Sequence, residues 1–562
     1  MWQGMVLREC VVSLFHTTLP VRWDSWNKPQ IRTVSIRLRS SSEQRRKILR
    51  KIAVAPLILL YALPAVAQKP VAPEVAVKAV RQYRQENEDR IMRELREFLA
   101  IPNVASDAPN IQKNAERLKG MLEARGIETH FLPIEGRGPV VFGKLETPGA
   151  KRTLIFYAHY DGQPVDAAAW TDHAPFEPIL YDGLIEAGGK RISFPAAAST
   201  PHYKDDWRIY ARSSSDDKSP IVALLTALDA LNENKIPLGV NLKVVLEGEE
   251  EAGSPNLEKT LNLHKNLLAG DLLLTIDGNI HPSGRQMISF GNRGDIGVRV
   301  TVYGAARALH SGHYGNWAPN AAMELAQLLA AMKDQNGRVL IPGYYDDVTS
   351  LSPAERKAVD AMPYIDPDLQ IEMGIAKPEG NGKKLAELLL EPSLNVRGMK
   401  SAYVGDQATN IVPERAEASL DARLVKGEDP EKKFQQIRGF IEKQGFYVID
   451  HDPTMEERRG HAKIAKVIYE GGYRASRTSM DLPVSQALMS VVQGATGGTT
   501  VMSPGFGGSV PMYIFEDLGL TYIGLPMVNY DNHQHSSDEN LRLGHLWNGI
   551  EVYGAVLAGL NW

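Results

Sequence analysis

The residues best suited to chemistry form a short acidic run, Glu247-Gly248-Glu249-Glu250-Glu251, near the middle of the chain. It follows the apolar stretch 241–246, which is typical of a buried strand, and precedes a Gly-Ser turn. Carboxylates this close repel one another, and in a dry site one of them would have to take up a proton. A solvated acidic loop is one interpretation. A bound cation is the other, because open α/β sheets place their ligands in strand-end loops.

Other acids and histidines also follow apolar stretches or precede helices. These residues are His159, Asp161, Asp216, Asp217, Asp277, His533 and His535. A lone histidine or Asp-Asp pair is more often structural, but together they form an oxygen-rich set with the donor chemistry of Zn²⁺ or Mn²⁺. The only cysteine is Cys10, so disulfides, thiolate nucleophiles and Cys-based metal sites are excluded from the body of the chain.

Alternating strands and helices must position these residues. We predict strands over 152–158, 241–246, 271–276 and 521–525, and helices over 71–100, 114–126, 220–231, 257–268, 482–492 and 543–557. This order indicates an α/β fold with a mostly parallel, layered sheet.

From about Asp295 the pattern changes to half-exposed strands over 296–302, 416–424 and 446–449. Helices are predicted over 320–332 and 430–444, the second capped by Asp429 with Pro430 at its first position. We therefore predict a smaller α+β domain over 295–478. It would interrupt the first domain, which is made of 68–294 and 479–562. Residues 183–207, rich in Gly, Ala, Ser and Pro, are expected to form an irregular insertion.

The first 67 residues differ from the rest, with eleven Lys or Arg and three Asp or Glu. Basic residues over 45–51 precede the apolar run 52–63 and the small-residue pattern Ala65-Val66-Ala67, the layout of a secretory signal. A membrane anchor is the alternative, but the run is short and contains Pro56. We expect cleavage after Ala67, a periplasmic or secreted product, and no stable membrane span afterwards.

The chain has 562 residues, is 43% hydrophobic and carries a formal net charge of −4. This composition fits a globular protein of two or more domains. The net charge gives no reason to expect a nucleic-acid partner.

Five motifs, in order, resemble the M20 metallopeptidases, specifically the dipeptidase branch that includes carnosinases. The resemblance covers roughly residues 80–562. The motifs begin at His159-Tyr160-Asp161-Gly162, Ser215-Asp216-Asp217-Lys218, Glu247-Gly248-Glu249-Glu250, Leu309-His310-Ser311-Gly312 and His535-Ser536-Ser537-Asp538. Where the family usually has glycine, this chain has Ala211, Ser213 and Ser219.

The resemblance implies two divalent metal ions per chain, Zn or Mn. One would be held by His159, Asp216 and Asp277, and the other by Asp216, Glu251 and His535, with Asp216 bridging. Asp161 would orient His159 without itself binding a metal ion. Glu250 would be the general base that deprotonates a water bridging the metals.

The resemblance also implies that 68–294 and 479–562 form the catalytic domain and that 295–478 is a ferredoxin-like lid and dimerisation domain. It further implies a homodimer and a peptide-binding pocket. His310 would stabilise the oxyanion across the dimer interface. Arg423, with Gly508 and Ser509, would bind the free carboxylate of a dipeptide. The dipeptidase pattern has a charged residue just before these glycines, whereas this chain has Phe506.

The expected function is thus an exported di-metal peptidase acting on dipeptides or short peptides. The alternative is an M20 deacylase or carboxypeptidase acting on N-acyl amino acids, which would share every metal ligand. A distant alternative is a non-catalytic peptide-binding relative. Serine hydrolase chemistry is excluded because the chain has no G-x-S-x-G elbow.

Overall fold

The structure is a computed structural model that describes residues 13–14, 17–18, 70–195 and 203–562. The chain divides into two compact units, Met1–Pro64 and Ala65–Trp562. In the first, two short antiparallel strands are described, Ser13–Leu14 and Thr17–Thr18. The predicted signal segment over 45–67 lies outside the described residues. No helix in the described part of the chain is long and apolar enough to cross a membrane.

The main sheet of the second unit has eight strands. From one edge to the other they are Val501–Ser503, Met287–Ser289, Tyr522–Gly524, Leu272–Thr275, Thr153–His159, Asn241–Glu247, Val140–Leu145 and Glu128–Leu132. The four central strands, from Tyr522–Gly524 to Asn241–Glu247, run parallel. The prediction of a mostly parallel layered sheet is confirmed.

Helices cover both faces of this sheet because its central strands are apolar on both sides. One face packs against the helices Pro73–Leu99, Ala108–Glu123, Lys218–Glu233, Pro483–Ala495 and Leu543–Gly559. The other face packs against the shorter helices Leu257–Leu263 and Tyr513–Asp517.

A second sheet of five strands has its own hydrophobic core. Its strand order is Ser393–Lys400, Arg415–Leu424, Gly294–Tyr303, Ile464–Tyr473 and Tyr447–Ile449. The helices Ala321–Met332 and Pro430–Lys443 pack against it, and the Asp429 side chain caps the second one, 2.8 Å from Lys432 N. The first four strands with these helices follow the ferredoxin-like βαββαβ order, as predicted.

Five further helices are described within the predicted lid segment, Ser311–Tyr314, Pro353–Ala361, Asp366–Glu372, Leu385–Leu388 and Met455–Gly460. Ala354 and Ala358 nevertheless pack against the core of the main sheet. The boundaries at 294/295 and 478/479 therefore stay a prediction.

The segment 183–207 is more regular than expected where it is described. Arg191–Ile192 is the edge strand of a four-stranded antiparallel sheet with Ile179–Tyr181, Arg208–Tyr210 and Asn540–Arg542. Because Asn540–Arg542 follows the His535 loop directly, this small sheet supports that loop.

Candidate active site

The carboxyl ends of the parallel strands bring the predicted residues together. His159 ends its strand opposite Glu247 of the neighbouring strand, and Thr275, two residues before Asp277, lies opposite Tyr157. Parallel strands end on the same edge of a sheet, so the loops that follow them share one space.

Two groups of side chains in this space could each hold a cation. His159, Asp216 and Asp277 form one group, and Asp216, Glu251 and His535 form the other, with the donor atoms of each group all within 4.8 Å of one another. Asp216 belongs to both. Its Oδ1 lies 2.8 Å from His159 Nε2, and its Oδ2 lies 3.1 Å from His535 Nε2.

Nitrogen and oxygen donors of this kind suit Zn²⁺ or Mn²⁺, and the charge of the site also fits a cation. Burial, reinforced by neighbouring Asp216, raises the pKa of Glu251 to about 8 and that of Asp277 to about 6. Burial would also raise the pKa of Asp216, but hydrogen bonds from His159 and His535 outweigh it and lower that pKa. The hydrogen bond to Asp216 raises the pKa of His535 to about 9. Divalent cations would neutralise this surplus of negative charge.

Asp161 contacts both His159 and the acidic loop. His159 Nδ1 lies 3.1 Å from the Asp161 carbonyl oxygen and 3.4 Å from its Oδ1. The Asp161 carboxylate also accepts hydrogen bonds of 3.1 Å from the backbone N–H groups of Glu250 and Glu251. The resemblance had implied only that Asp161 orients His159, and its hydrogen bonds to the acidic loop were not predicted.

The acids of the 247–251 run have different partners. Tyr157 OH donates to Glu247 at 2.6 Å, and Asn256 Nδ2 donates to Glu249 at 2.9 Å. Gln163 Nε2 donates to Glu251 at 2.7 Å. The half-buried Glu250 side chain has no hydrogen-bond partner within 70–195 and 203–562. Burial, only partly offset by nearby His159, raises the pKa of Glu250 well above its usual range.

Glu539, to which we assigned no role, ties two of the loops together. This buried carboxylate accepts hydrogen bonds of 2.9 Å from the backbone N–H groups of Ser213, Ser215 and Asp216. Arg212 Nη1 donates to it at 2.8 Å. The loop that carries His535 is thereby fixed to the loop that carries Asp216. Glu539 directly follows His535-Ser536-Ser537-Asp538, a motif quoted for the resemblance, but no local sequence pattern indicates its partner.

The predicted carboxylate-binding residues also lie together. Arg423 Nη1 donates to Ser509 Oγ at 2.6 Å, and Arg423 Nε lies 3.2 Å from Asp421 Oδ2. The carbonyl oxygen of Gly508 accepts a 3.2 Å hydrogen bond from the backbone N–H of Arg293. Arg293 is itself buried, and burial together with Arg423 lowers its pKa to about 10.

His310 lies apart from this cluster. It ends the short strand Leu309–His310, its side chain is exposed, and its Nδ1 accepts a hydrogen bond from Gly312 N at 3.1 Å. Across the described residues, no hydrogen bond, ion pair or ring contact joins it to any of the five predicted metal ligands. Within one chain, the structure therefore does not bring His310 to the predicted metal centre.

Comparison with known proteins identifies the family. The model of peptidase family M20/M25/M40 matches residues 155–559. The chain belongs to this family. The predicted membership is confirmed, and so is the predicted class of metal-dependent hydrolase.

Several members of the M20 family are similar over most of the chain. The Cys-Gly metallodipeptidase DUG1 of Candida albicans is 26% identical over 501 residues, covering 84% of this chain and 95% of the relative. The human Beta-Ala-His dipeptidase is 26% identical over 392 residues, covering 66% and 72%. The crystal structure of the M20 family metallo-carboxypeptidase Sso-CP2 from Sulfolobus solfataricus superposes with a TM-score of 0.69 at 29% identity, covering 84% and 99%.

Proposed function

We propose that this M20 enzyme is a di-metal dipeptidase that hydrolyses the amide bond of dipeptides or short peptides. The observation that carries the proposal is the position of Asp216, whose two carboxylate oxygens face two different sets of ligands. The names of the two dipeptidase relatives support the substrate class.

His159, Asp216 and Asp277 would hold one metal ion, and Asp216, Glu251 and His535 the other, with Zn²⁺ or Mn²⁺ as the fitting metals. Two such ions polarise the scissile carbonyl and make water acidic enough to deprotonate near neutral pH. Asp216→Ala is expected to lose activity and most bound metal, because one side chain serves both ions. Elemental analysis of the purified variant tests this, and two ions per chain retained would contradict it.

Glu250 is the proposed general base. Glu247 and Glu249 are engaged by Tyr157 and Asn256, and Glu251 belongs to a metal-ligand group. The Glu250 carboxylate remains available to take the proton of the attacking water and to pass it to the leaving amine.

Arg423 and Ser509 are proposed to bind the terminal carboxylate of the substrate. The Arg423 side chain is one-third exposed, and its guanidinium donates to the Ser509 hydroxyl, which can also donate to the same carboxylate. Such planar, charged hydrogen bonding suits a free carboxyl group. A free dipeptide offers that group one residue beyond the scissile bond.

A hydrolysis screen of the purified, metal-loaded protein tests the proposal with free dipeptides, C-terminally amidated dipeptides and N-acyl amino acids. Arg423→Ala should raise KM for free dipeptides, with a loss of roughly 1.5–3 kcal/mol for a charged partner. Amidated substrates should hardly change. Arg299→Ala is the matched control, since Arg299 lies in the same sheet and pairs with Glu470 at the surface. Equal cleavage of free and amidated dipeptides by wild type would overturn the role of Arg423.

A deacylase or carboxypeptidase acting on N-acyl amino acids is the second candidate. It is favoured by Phe506, which stands where the dipeptidase pattern has a charge, and by the similarity to Sso-CP2 at 29% identity. Faster hydrolysis of N-acyl amino acids than of any free dipeptide in the same screen would select it.

Export is proposed from the sequence of residues 45–67 alone. N-terminal sequencing of the mature protein should give a start at Gln68 in a periplasmic or secreted fraction. A start upstream of residue 60 on a cytoplasmic protein would contradict export.

A further inference from the structure

A cavity of about 260 Å³ lies beside the candidate active site, and Phe506 forms part of its wall. We name it the Phe506 pocket, after an apolar wall formed by Phe506, Met287, Met362, Ile365, Leu385 and Leu389. This volume is below the roughly 300–1,000 Å³ of pockets for drug-sized ligands, so it suits a single large side chain or a short acyl chain.

The polar side chains that line the Phe506 pocket already have partners within the protein. Asn279 Nδ2 donates to Ile280 O at 2.9 Å, and Ser503 Oγ donates to Gly505 O at 2.6 Å. His281 Nδ1 lies 2.8 Å from Ser283 Oγ, and Asp366 Oδ2 accepts from Leu385 N at 2.8 Å. With these groups engaged, the pocket favours an apolar occupant, because an unpaired polar group would lose its hydrogen bonds to water.

Two glycines place the Phe506 ring beside the predicted metal centre. A Cβ at Gly278 would lie 3.2 Å from Phe506 Cζ, and a Cβ at Gly508 would lie 2.7 Å from Phe506 Cε1. Gly278 directly follows Asp277, one of the residues able to hold a metal. A side chain at either position would crowd the aromatic ring and force it to shift.

The same loop also contains the proposed carboxylate site. Ser509, three residues after Phe506, contacts Arg423. A substrate held by its carboxylate at Arg423 would place its scissile amide near Asp277, with its acyl side toward the Phe506 ring.

We infer that the Phe506 pocket binds an apolar group on the acyl side of the scissile amide, and that Phe506 determines this specificity. The inference rests on the proposed function and narrows its substrate class. The group is either the side chain of an apolar amino-terminal residue or a short fatty acyl chain, which present the same surface.

Two series of substrates test the inference on the metal-loaded enzyme. The peptide series is Gly-Gly, Asp-Gly and Leu-Gly, and the acyl series is N-acetylglycine and N-hexanoylglycine. We expect kcat/KM to favour the larger apolar member by roughly ten-fold or more in one series, and that series identifies the source of the group. Titration calorimetry with the Glu250→Gln protein should give the same order of affinity without turnover.

Substitutions at Leu389 and Met362, which line the pocket, test whether the pocket causes the substrate preference. Leu389→Trp should fill the pocket and bring the ratio of kcat/KM between large and small substrates close to one. Met362→Gln should lower the ratio without adding bulk, which covers the case in which Leu389→Trp fails to fold. Ile371→Trp is the control, since Ile371 belongs to the same group of helices, is 81% exposed and does not line the pocket.

The outcomes separate the two proposals. The role of the pocket is overturned if hydrolysis shows no preference for an apolar group, or if that preference is unchanged in Leu389→Trp and Met362→Gln. Either result leaves the proposed function standing. No hydrolysis of either series by the metal-loaded wild type overturns the proposed function, and this inference with it.

Discussion

The carboxylate of Asp161 accepts a 3.1 Å hydrogen bond from the backbone N–H of Glu250. Its other oxygen accepts from the next residue, Glu251, also at 3.1 Å. One buried side chain thus fixes the backbone of both the proposed base and a candidate metal ligand. It also adjoins His159, so it links two of the strand-end loops.

Asp161→Asn tests this link. The amide keeps one acceptor oxygen but points an N–H donor at one of the two backbone N–H groups, so the 250–252 turn should shift. Residues that support metal ligands typically contribute about 10–100-fold to activity or metal affinity. We expect a loss of that size in kcat with the fold unchanged by circular dichroism. Wild-type kcat and metal content would show that the hydrogen bonds to Glu250 and Glu251 are not needed.

Glu250→Gln should retain two metal ions and lose catalysis. The amide cannot accept a proton from water, and loss of a general base typically costs about 10²–10⁴ in rate. Steady-state kinetics together with elemental analysis measure both properties. Glu249→Gln is the matched control, because Glu249 accepts a hydrogen bond from Asn256 and belongs to neither metal-ligand group. If Glu249→Gln loses more activity than Glu250→Gln, the base is assigned to the wrong residue.

Glu539→Gln should weaken metal binding although Glu539 is not itself a predicted ligand. Its carboxylate accepts from the backbone N–H of Asp216 and from Arg212, and a glutamine would turn one of these acceptors into a donor. Chelator competition should show a metal affinity lower by roughly 10–100-fold. Added metal should partly restore the rate, since the ligands are all present. A variant that binds metal normally but has a low kcat would contradict this positioning role.

The sequence predicted the elements that carry the site better than those at the periphery. The central strands are continuous apolar runs and were predicted to within one or two residues, as with Thr153–His159 and Asn241–Glu247. Two strands at one side of the main sheet, Met287–Ser289 and Val501–Ser503, have three residues each, too few for a periodic pattern. The edge strand Ser393–Lys400 is mostly exposed and shows no buried alternation.

Only those residues of the proposed site that belong to recognisable sequence motifs could be predicted. The five candidate metal ligands were chosen from ordered motifs, and the structure brings them together. The bond from Asp216 to Glu539 joins residues 323 positions apart, and no local pattern encodes such a pairing. The contact between Phe506 and Gly278 could not be predicted either. A glycine in the sequence shows that a side chain is absent, but it does not indicate which residue occupies the space.

The metal-free protein should lose stability as pH rises from 6.5 to 9. Burial raises the pKa of Glu251 to about 8, and the hydrogen bond to Asp216 raises that of His535 to about 9, each above its unfolded value. The folded state then binds more protons than the unfolded state, so the free energy of unfolding falls with increasing pH. The contribution of His535 is fully present below pH 6.5 and is lost through about pH 9.

Thermal unfolding of chelator-treated protein at pH 6.5, 7.5 and 9 measures this slope. Zn²⁺ or Mn²⁺ should raise Tm most at pH 9, where the carboxyl groups of the cluster are charged. Glu251→Gln should flatten the slope, whereas the exposed control Glu123→Gln should not. A Tm that rises with pH would contradict the assignment of these residues to one coupled cluster.

The last prediction concerns His310, which lies away from the candidate metal centre of its own chain. A role in oxyanion stabilisation therefore requires a second copy of the chain. The edge strand Ser393–Lys400 offers a surface for it, with Met399 52% exposed and Val404, just beyond the strand, 88% exposed. Exposed apolar edges of this kind favour pairing between chains. We therefore propose a homodimer in which His310 acts in the partner's active site.

Complementation tests the dimer. His310→Ala and Glu250→Gln should each be nearly inactive, since one oxyanion donor alone typically contributes about 10²–10³ to kcat. In a refolded 1:1 mixture, half of the dimers would be hybrids with one intact site each, so about a quarter of wild-type activity should return. Val404→Glu should reduce both dimerisation, measured by sedimentation, and this rescue. A monomer in solution with no rescue would reject the trans arrangement, and full activity of His310→Ala would remove His310 from the reaction altogether.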